Sequence, residues 1–378
     1  LRDETARAQE LEVRFFARMR DRHLTFGGRQ LCSVPRPNLV SPAVYGHIGG
    51  VCRGIFRAIE RAEARLGEEL WDRVDLLPEE RELARLDPGY ARSSPLSRLD
   101  SFVTPSSSQY VELNAETPAG SSYADTLAEV FLEMPIVRRF QERWRLQPFQ
   151  TGRRLLATLV GCYREAGGRE EHPSIAVVDY EDVPTRVEHH MVREYCESEG
   201  YPSLVCDPRH LTYEGGRLRH GDRPIDIVYK RLLVNELLER RDEVRPLLEA
   251  ARDGAVVIVN PFRCKPVHKK AIFEVLTDDT LQGLFTGEEQ AAIRAHVPWT
   301  RRVRERRTTH GGQEVDLPDF ILGPRDRPAR GLYPLDAVTA TDLHAPPQAP
   351  VRRHKIGFVG QLFHLGPRLT AAENIELP

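Results

Sequence analysis

Apolar residues recur every three or four positions in two stretches near the start of the chain. Over residues 4–22 they predict an amphipathic helix that Phe26-Gly27-Gly28 stops. Val44, Ile48, Val51, Ile55, Ile59 and Ala62 form the stripe of a longer helix, with Ser41 as its N-cap and Pro42 in its first turn. The Leu/Glu/Arg-rich stretch 70–86 also predicts helix, as do 122–133, 136–144 and 151–165. From Pro173 the pattern changes. Short apolar runs at 175–178, 203–206, 225–229 and 255–259 alternate with helical patterns at 185–198 and about 235–251, and 211–219 reads as a small hairpin around Gly215-Gly216. Strands alternating with helices predict a largely parallel sheet covered on both faces, so residues 173–276 are expected to form an α/β domain.

The stretch 98–120, RLDSFVTPSSSQYVELNAETPAG, carries the densest chemistry. Mixed runs at 98–103 and 109–114 flank a Pro/Ser-rich turn and predict a hairpin. With the period of two that strands impose, Arg98 and Asp100 share one strand face and Glu112 and Asn114 share another, while Leu99, Val111 and Leu113 take the other side. A cation, two carboxylates and a carboxamide together are costly to bury without a partner. Mg²⁺ is such a partner, a hard cation usually held by one or two carboxylates plus substrate phosphates. The wet face of an ordinary hairpin would accommodate the same residues as surface charges. Glu116–Gly120 follows as a turn, and Ser122 with Asp125 has the spacing of a capping box. The N–H groups of the helix opened there suit an anion such as phosphate.

Further along, the strand ending at Asn260 runs into Arg263, Lys265, Lys269 and Lys270. Ligands of open α/β sheets gather at strand carboxyl ends, so Asn260, Arg263, Lys265, Lys269 and Lys270 are candidates for a nucleotide phosphate; a basic, solvated helix start is the alternative. Lys230 ends another strand and is read as reaching water. His189 and His190 point about 100° apart on a helix and cannot chelate one ion, so Glu188-His189-His190 is expected at the surface. The basic run 301–307 lacks an aromatic platform and is read as solvated or phosphate-facing. Neither a Gly-x-Ser-x-Gly elbow nor a Cys/His pair with a third orienting group stands out, which argues against nucleophilic catalysis by the protein.

Composition narrows this little. A chain of 378 residues has room for about two or three domains. Its net charge of −2 with 29% charged residues suggests no nucleic-acid partner. No apolar run approaches the roughly 18 residues of a membrane span, so a soluble protein is expected. The chain begins at Leu1 without the features of a signal peptide and is expected to lack a few native residues there. Six scattered cysteines without a CxxC pair fit buried thiols in a reducing cytoplasm.

The segments RLD (98–100), VELNAETPAG (111–120), IDIVYK (225–230) and NPFRCKPVHKKAIFEVL (260–276) resemble the circularly permuted ATP-grasp proteins, the glutathionylspermidine synthase-like group and, more distantly, eukaryotic glutathione synthetase. The resemblance covers roughly 36–322. It implies ATP-dependent joining of a small-molecule carboxylate to an amine through an acyl phosphate, with ATP and Mg²⁺ required. Carried over by position, Asp100, Glu112 and Asn114 look like the Mg²⁺ ligands, Arg98 like the cation steadying the transferring phosphoryl group, and Lys270 or Lys269 like a nucleotide-phosphate lysine. A homodimer is compatible with this reading.

The organisation this predicts is a helical region with the hairpin (1–172), an α/β substrate domain (173–276), a helical return to the ATP-grasp core (277–322), a Pro-rich linker (323–350) and a tail (351–378). The tail, VRRHKIGFVGQLFHLGPRLTAAENIELP, is similar to the Q-loop stretch of ABC-transporter ATPase subunits, with Gln361 at the glutamine position. A phosphate loop does not precede it, so binding of ATP in the ABC manner is not expected. A member of the ATP-grasp family should continue after 322 with a second ATP lysine, a glycine-rich loop and a further carboxylate. A broken reading frame near Gly323, leaving a catalytically incomplete ligase, is therefore the expectation; a non-catalytic nucleotide- or substrate-binding remnant is the alternative.

Overall fold

The computed structural model describes residues 2–104, 106–302, 307–310, 312–317 and 320, with backbone alone for 2–9, 334–335 and 338–339. The ABC-like tail lies outside these. Within 323–350 the described pieces are Pro334–Leu335 and Val338–Thr339, paired antiparallel.

The chain divides into two compact units, one of Leu1–Asp100 with Glu112–Ile272, the other of Ser101–Val111 with Phe273–Pro378. The first is built on a four-stranded sheet in the order Val257–Val259, Ile227–Lys230, Ile175–Val178, Ser203–Cys206. Every pairing is parallel, in the register Ile227↔Ile175, Lys230↔Val178 and Val178↔Cys206. All four residues of Ile175–Val178 are buried, as a central strand covered on both sides requires. Alternate residues serve opposite cores. Ala176, Val178, Leu204, Val228 and Ile258 pack with Leu232, Leu237, Leu247 and Leu248. Ile175, Val177, Ile227, Tyr229 and Val259 pack with Leu155, Leu159, Val192 and Cys196. Each such aliphatic side chain contributes roughly 1.5–3 kcal/mol by leaving water. The chain enters the sheet at Ile175–Val178, steps to Ser203–Cys206 on one side, and returns to Ile227–Lys230 on the other.

Around the sheet, several expected helices are broken where proline or a tight turn intervenes. The stretch 70–86 is divided between Glu68–Arg73 and Pro78–Ala84, and 235–251 between Val234–Glu239 and Arg245–Arg252, each second helix carrying proline at its start. Pro42–Leu66 forms as expected, the Ser41 hydroxyl accepting the Val44 N–H at 3.2 Å, but its buried face begins only at Val51 and Val44 is exposed. The N-terminal helix Arg2–Asp21 packs Phe15 and Met19 against Tyr123, Val130 and Phe131 of helix Ser121–Glu133.

The hairpin Arg98–Val103/Ser108–Asn114 forms where the mixed runs predicted it, and its outer part groups with the second unit. There Gln109 Nε2 donates to the Ala295 carbonyl at 2.9 Å, at the end of helix Gly287–His296. The antiparallel pair Arg307–His310/Gln313–Asp316 is tied on by Trp299, whose indole N–H donates to Thr309 O at 2.8 Å. Of the basic run 301–307, Arg301 stacks on Trp299, Arg302 pairs with Glu274 at 2.9 Å and Arg307 with Glu314 at 3.3 Å. No described helix is long and apolar enough to cross a membrane.

Candidate functional site

Arg98 and Asp100, two residues apart on one strand, meet as a fork: Nε to Oδ1 at 2.7 Å and a terminal nitrogen to Oδ2 at 3.2 Å. The other terminal nitrogen donates to the Ala119 carbonyl at 3.0 Å. On the second strand the Glu112 carboxylate is buried, with Lys270 Nζ 3.3 Å away. Asn114 Nδ2 is buried and makes no hydrogen bond. The hairpin therefore presents two carboxylates, each already facing one cation, and a carboxamide with unused capacity.

Among the described residues no cluster of three or more His, Cys, Asp or Glu side chains could hold a metal by itself. The donor set Asp100, Glu112 and Asn114 nonetheless suits Mg²⁺, which prefers oxygen and completes its shell with water and phosphate. A carboxylate that accepts a forked arginine keeps further lone pairs for a cation. The unsatisfied Asn114 carboxamide, turned over, offers its oxygen.

The other candidates are engaged elsewhere. Asn260 is 1% exposed and all its polar atoms are bonded to backbone: Oδ1 accepts Leu96 N–H at 3.0 Å, and Nδ2 donates to the carbonyls of Leu96 and Ala115, each at 2.6 Å. It ties the end of strand Val257–Val259 to the base of the hairpin. Lys269 Nζ lies 2.8 Å from Glu80 Oε2, Arg263 donates to the Tyr90 and Ala91 carbonyls at 2.8 and 2.6 Å, and Lys265 is buried against Glu116 rather than presented to a phosphate.

Beneath the hairpin is an ionic cluster whose burial the sequence pattern did not reveal. Glu80, Glu116 and Lys230 are fully buried and Lys265 is 5% exposed. Lys265 Nζ lies 3.0 Å from Glu116 and 3.7 Å from Glu80; His268 Nε2 lies 3.5 Å from Glu116, whose other oxygen accepts the Val234 N–H. Burial works to raise the Glu116 pKa, but the charges of Lys230, Lys265 and His268 outweigh it and hold the carboxyl below its ordinary value. Burial likewise lowers the pKa of His268, against the pull of Glu116. Lys230 does not reach water as expected; it turns inward and donates to Leu232 O at 2.9 Å. The available signal for Glu80 was its place three residues after Leu77, whose N–H it accepts at 2.9 Å, but leucine is not a recognisable capping residue.

Two further expectations are corrected. Ser122 and Asp125 do not form a capping box: helix Ser121–Glu133 has Gly120 as N-cap, and Asp125 instead accepts the Thr151 and Gly152 N–H groups at 2.9 and 2.8 Å, capping helix Thr151–Glu165. Nor is the start of helix Ser121–Glu133 left for a phosphate, because Glu188 Oε1 accepts Gly120 N–H at 2.7 Å and Ser122 N–H at 3.3 Å. Glu188 and His189 are accordingly buried, at 2% and 1% exposure, rather than at the surface. His189 Nε2 sits 3.5 Å from the buried Asp179 carboxylate, and Arg231 at 3.9 Å from Glu188 completes this group.

No family model matches the chain. The structure of a glutathione synthetase like-effector from Globodera pallida aligns with a TM-score of 0.52 over 76% of this chain and 69% of that one. At 14% identity the likeness is one of fold. Separately, one segment resembles ABC ATPases. A stretch of 94 residues, 24% of this chain and 41% of the relative, is 38% identical to an uncharacterized ABC transporter ATP-binding protein of Bacillus subtilis, YvrO. Over 58 residues the chain is 47% identical to the macrolide export ATP-binding/permease protein MacB of Syntrophobacter fumaroxidans, covering 15% of this chain and 8% of that protein. The chain thus spans less than half the length of these curated relatives. The match is longer than the 28 residues from which the ABC resemblance was read.

Proposed function

We propose that the first unit carries part of the Mg·ATP site of an ATP-grasp ligase that joins a carboxylate to an amine through an acyl phosphate. The observation that carries this reading is the hairpin's charge arrangement, with Arg98 forked onto Asp100 and the buried Glu112 facing Lys270. The fold likeness to a glutathione synthetase-like protein supports it.

Phosphoryl transfer depends on positioning and charge neutralisation more than on covalent help from the protein. Asp100, Glu112 and Asn114 would hold Mg²⁺, which when bound neutralises nucleotide phosphate charge. Arg98, half-exposed beside Asp100, would steady the phosphoryl group as the substrate carboxylate oxygen attacks phosphorus and ADP departs. Attack of the amine nitrogen on the acyl carbon then releases phosphate and a proton. Lys270, 45% exposed, keeps the freedom to turn toward a nucleotide phosphate; Lys269, closed onto Glu80, supports the site from beneath.

Calorimetry with a non-hydrolysable ATP analogue tests the site. Binding should require Mg²⁺ and weaken at least ~10-fold in Asp100→Asn and in Glu112→Gln, about 1.4 kcal/mol or more. Binding indifferent to Mg²⁺ and to both substitutions overturns the reading. ADP release with a panel of carboxylates and amines then distinguishes a ligase from a protein that binds nucleotide without turnover.

A further inference from the structure

Each strand of the parallel sheet ends in a buried polar residue: Asp179, Asp207, Arg231 and Asn260, at 4%, 1%, 6% and 1% exposure. Asp207 is satisfied locally, by the N–H groups of Arg209 and Glu181 and the Arg209 guanidinium. Asn260 clips the hairpin base. Asp179 and Arg231 are the pair at the point where the chain reverses its direction of travel across the sheet, the usual place for function in open α/β folds. They are adjacent by register, because Lys230 pairs with Val178 and Arg231 N–H donates to Val178 O at 2.9 Å.

Arg231 does not point at empty space from there. One of its terminal nitrogens donates to Pro118 O at 2.6 Å and to the Tyr229 hydroxyl at 3.1 Å, while the other lies 3.9 Å from Glu188. Glu188 in turn accepts the Gly120 N–H. Segment 115–120 is therefore held at successive points. The Ala115 carbonyl accepts from Asn260 and from Ser94, Glu116 enters the lysine cluster, Pro118 O is held by Arg231, Ala119 O by Arg98, and Gly120 N–H by Glu188. A loop free to move would leave Arg98 without its carbonyl anchor.

We propose that Arg231 and Glu188 are positioning residues that clamp segment 116–120 from the carboxyl edge of the sheet and through it fix the guanidinium of Arg98 on the hairpin. This deepens the Mg·ATP reading of the hairpin and rests on it for its functional consequence. Neither residue touches the reacting atoms. A hydrogen bond from a charged donor contributes more than a neutral one, and Arg231 makes one to the part-buried Pro118 carbonyl.

The experiment follows amide exchange and Mn²⁺-dependent binding of the ATP analogue in the full chain for wild type, Arg231→Met, Arg231→Lys and Glu188→Gln. In Arg231→Met, exchange at Ala119, Gly120 and 98–100 should rise at least ~10-fold while Ile175–Val178 and Ile227–Lys230 keep their protection, and nucleotide affinity should fall ~10-fold. Arg231→Lys, which retains a charged donor for Pro118 O, should recover most of both. Glu188→Gln keeps an acceptor for Gly120 and should show a smaller change at Gly120 without general loosening, so the clamp is testable even if Arg231→Met does not fold. Unchanged exchange at 116–120, or a uniform rise across the whole sheet, overturns the proposal. If wild type binds no Mn²⁺·nucleotide while the exchange pattern appears, the clamp stands and the Mg·ATP reading falls.

Discussion

The Lys265 ammonium lies 3.0 Å from the Glu116 carboxylate, and both side chains are buried. Their separation in sequence is large, one on the turn after the hairpin and the other on helix Lys265–His268. The pair joins the hairpin's base to the end of the parallel sheet. Desolvating two ions is expensive, and the geometry offsets it by giving Glu116 the Val234 N–H and His268 as additional partners.

Removing one member should therefore cost more than the pair is worth. Glu116→Ala removes the carboxylate nearest to Lys265, leaving it Glu80 at 3.7 Å, and takes the same field from Lys230; it should destabilise the fold by on the order of 3–5 kcal/mol in urea denaturation. Because the folded Glu116 pKa is depressed, its contribution is present above the unfolded carboxylate value and is lost as pH falls through the folded one. Wild type should thus lose stability on acidification in a way that Glu116→Gln does not. An Ala variant within 1 kcal/mol of wild type would contradict this account.

Asn260 yields a second expectation. Asn260→Ala strands the Leu96 N–H and leaves the carbonyls of Leu96 and Ala115 to share the Ser94 hydroxyl, at a cost of on the order of 1–3 kcal/mol. Asn260→Asp keeps the acceptor but loses both donated bonds and places a charge beside two carbonyls, so it should be no better. If Asn260 instead contacted nucleotide, the two variants would alter affinity while leaving the urea midpoint in place.

The parts of this fold that were legible from the chain are those that local rules determine. The β-branched run Ile175–Val178 and its three counterparts announce a parallel sheet, and the period of two places Arg98 beside Asp100. What stayed hidden depends on partners far along the chain. Asp125 looks like a cap for its own helix and caps the one beginning at Thr151. Glu188 sits in a polar helix that reads as solvated, yet its carboxylate is drawn inward by the N–H groups of Gly120 and Ser122. Lys230 reads as snorkelling to water, but a neighbouring carbonyl and the field of Glu116 hold it inside. Composition cannot show such pairings, because they depend on which segments the sheet brings together.

Asp179 supplies a pH dependence of opposite sign to that of Glu116, and its neighbour His189 one of the same sign. Burial, only partly opposed by Arg231 and the Tyr180 N–H, pushes the Asp179 pKa up to about 7 from an ordinary 3.8. A raised folded pKa means that this group's contribution is fully present below the unfolded value and is lost as pH rises through about 7. Burial, with Arg231 and Arg186 adding to it, pushes His189 down to about 3 from 6.5, so its contribution is present above 6.5 and lost as pH falls toward 3. Asp179→Asn should abolish the fall in stability with rising pH between about pH 4 and 7 and leave the opposing rise that His189 gives, a change on the order of 1–4 kcal/mol. A profile of unaltered slope in that window would show that Asp179 does not titrate there.

The Lys270–Glu112 pair gives the sharpest separation between a metal site and an ordinary surface hairpin. In the absence of nucleotide, the Lys270 ammonium 3.3 Å from Glu112 competes with any cation for that carboxylate. Lys270→Met removes the competitor and should tighten binding of Mn²⁺ alone by a few-fold, roughly 3- to 10-fold, since Glu112 is buried and poorly screened by solvent. With nucleotide present the sign should reverse, because the same substitution removes a cation for the phosphates, and affinity for Mn²⁺·ATP analogue should fall by about 10-fold or more. Opposite signs in the two titrations require one lysine to serve two partners in turn. A solvated hairpin predicts no saturable Mn²⁺ binding in either form, and a lysine engaged only structurally predicts that both titrations shift in the same direction.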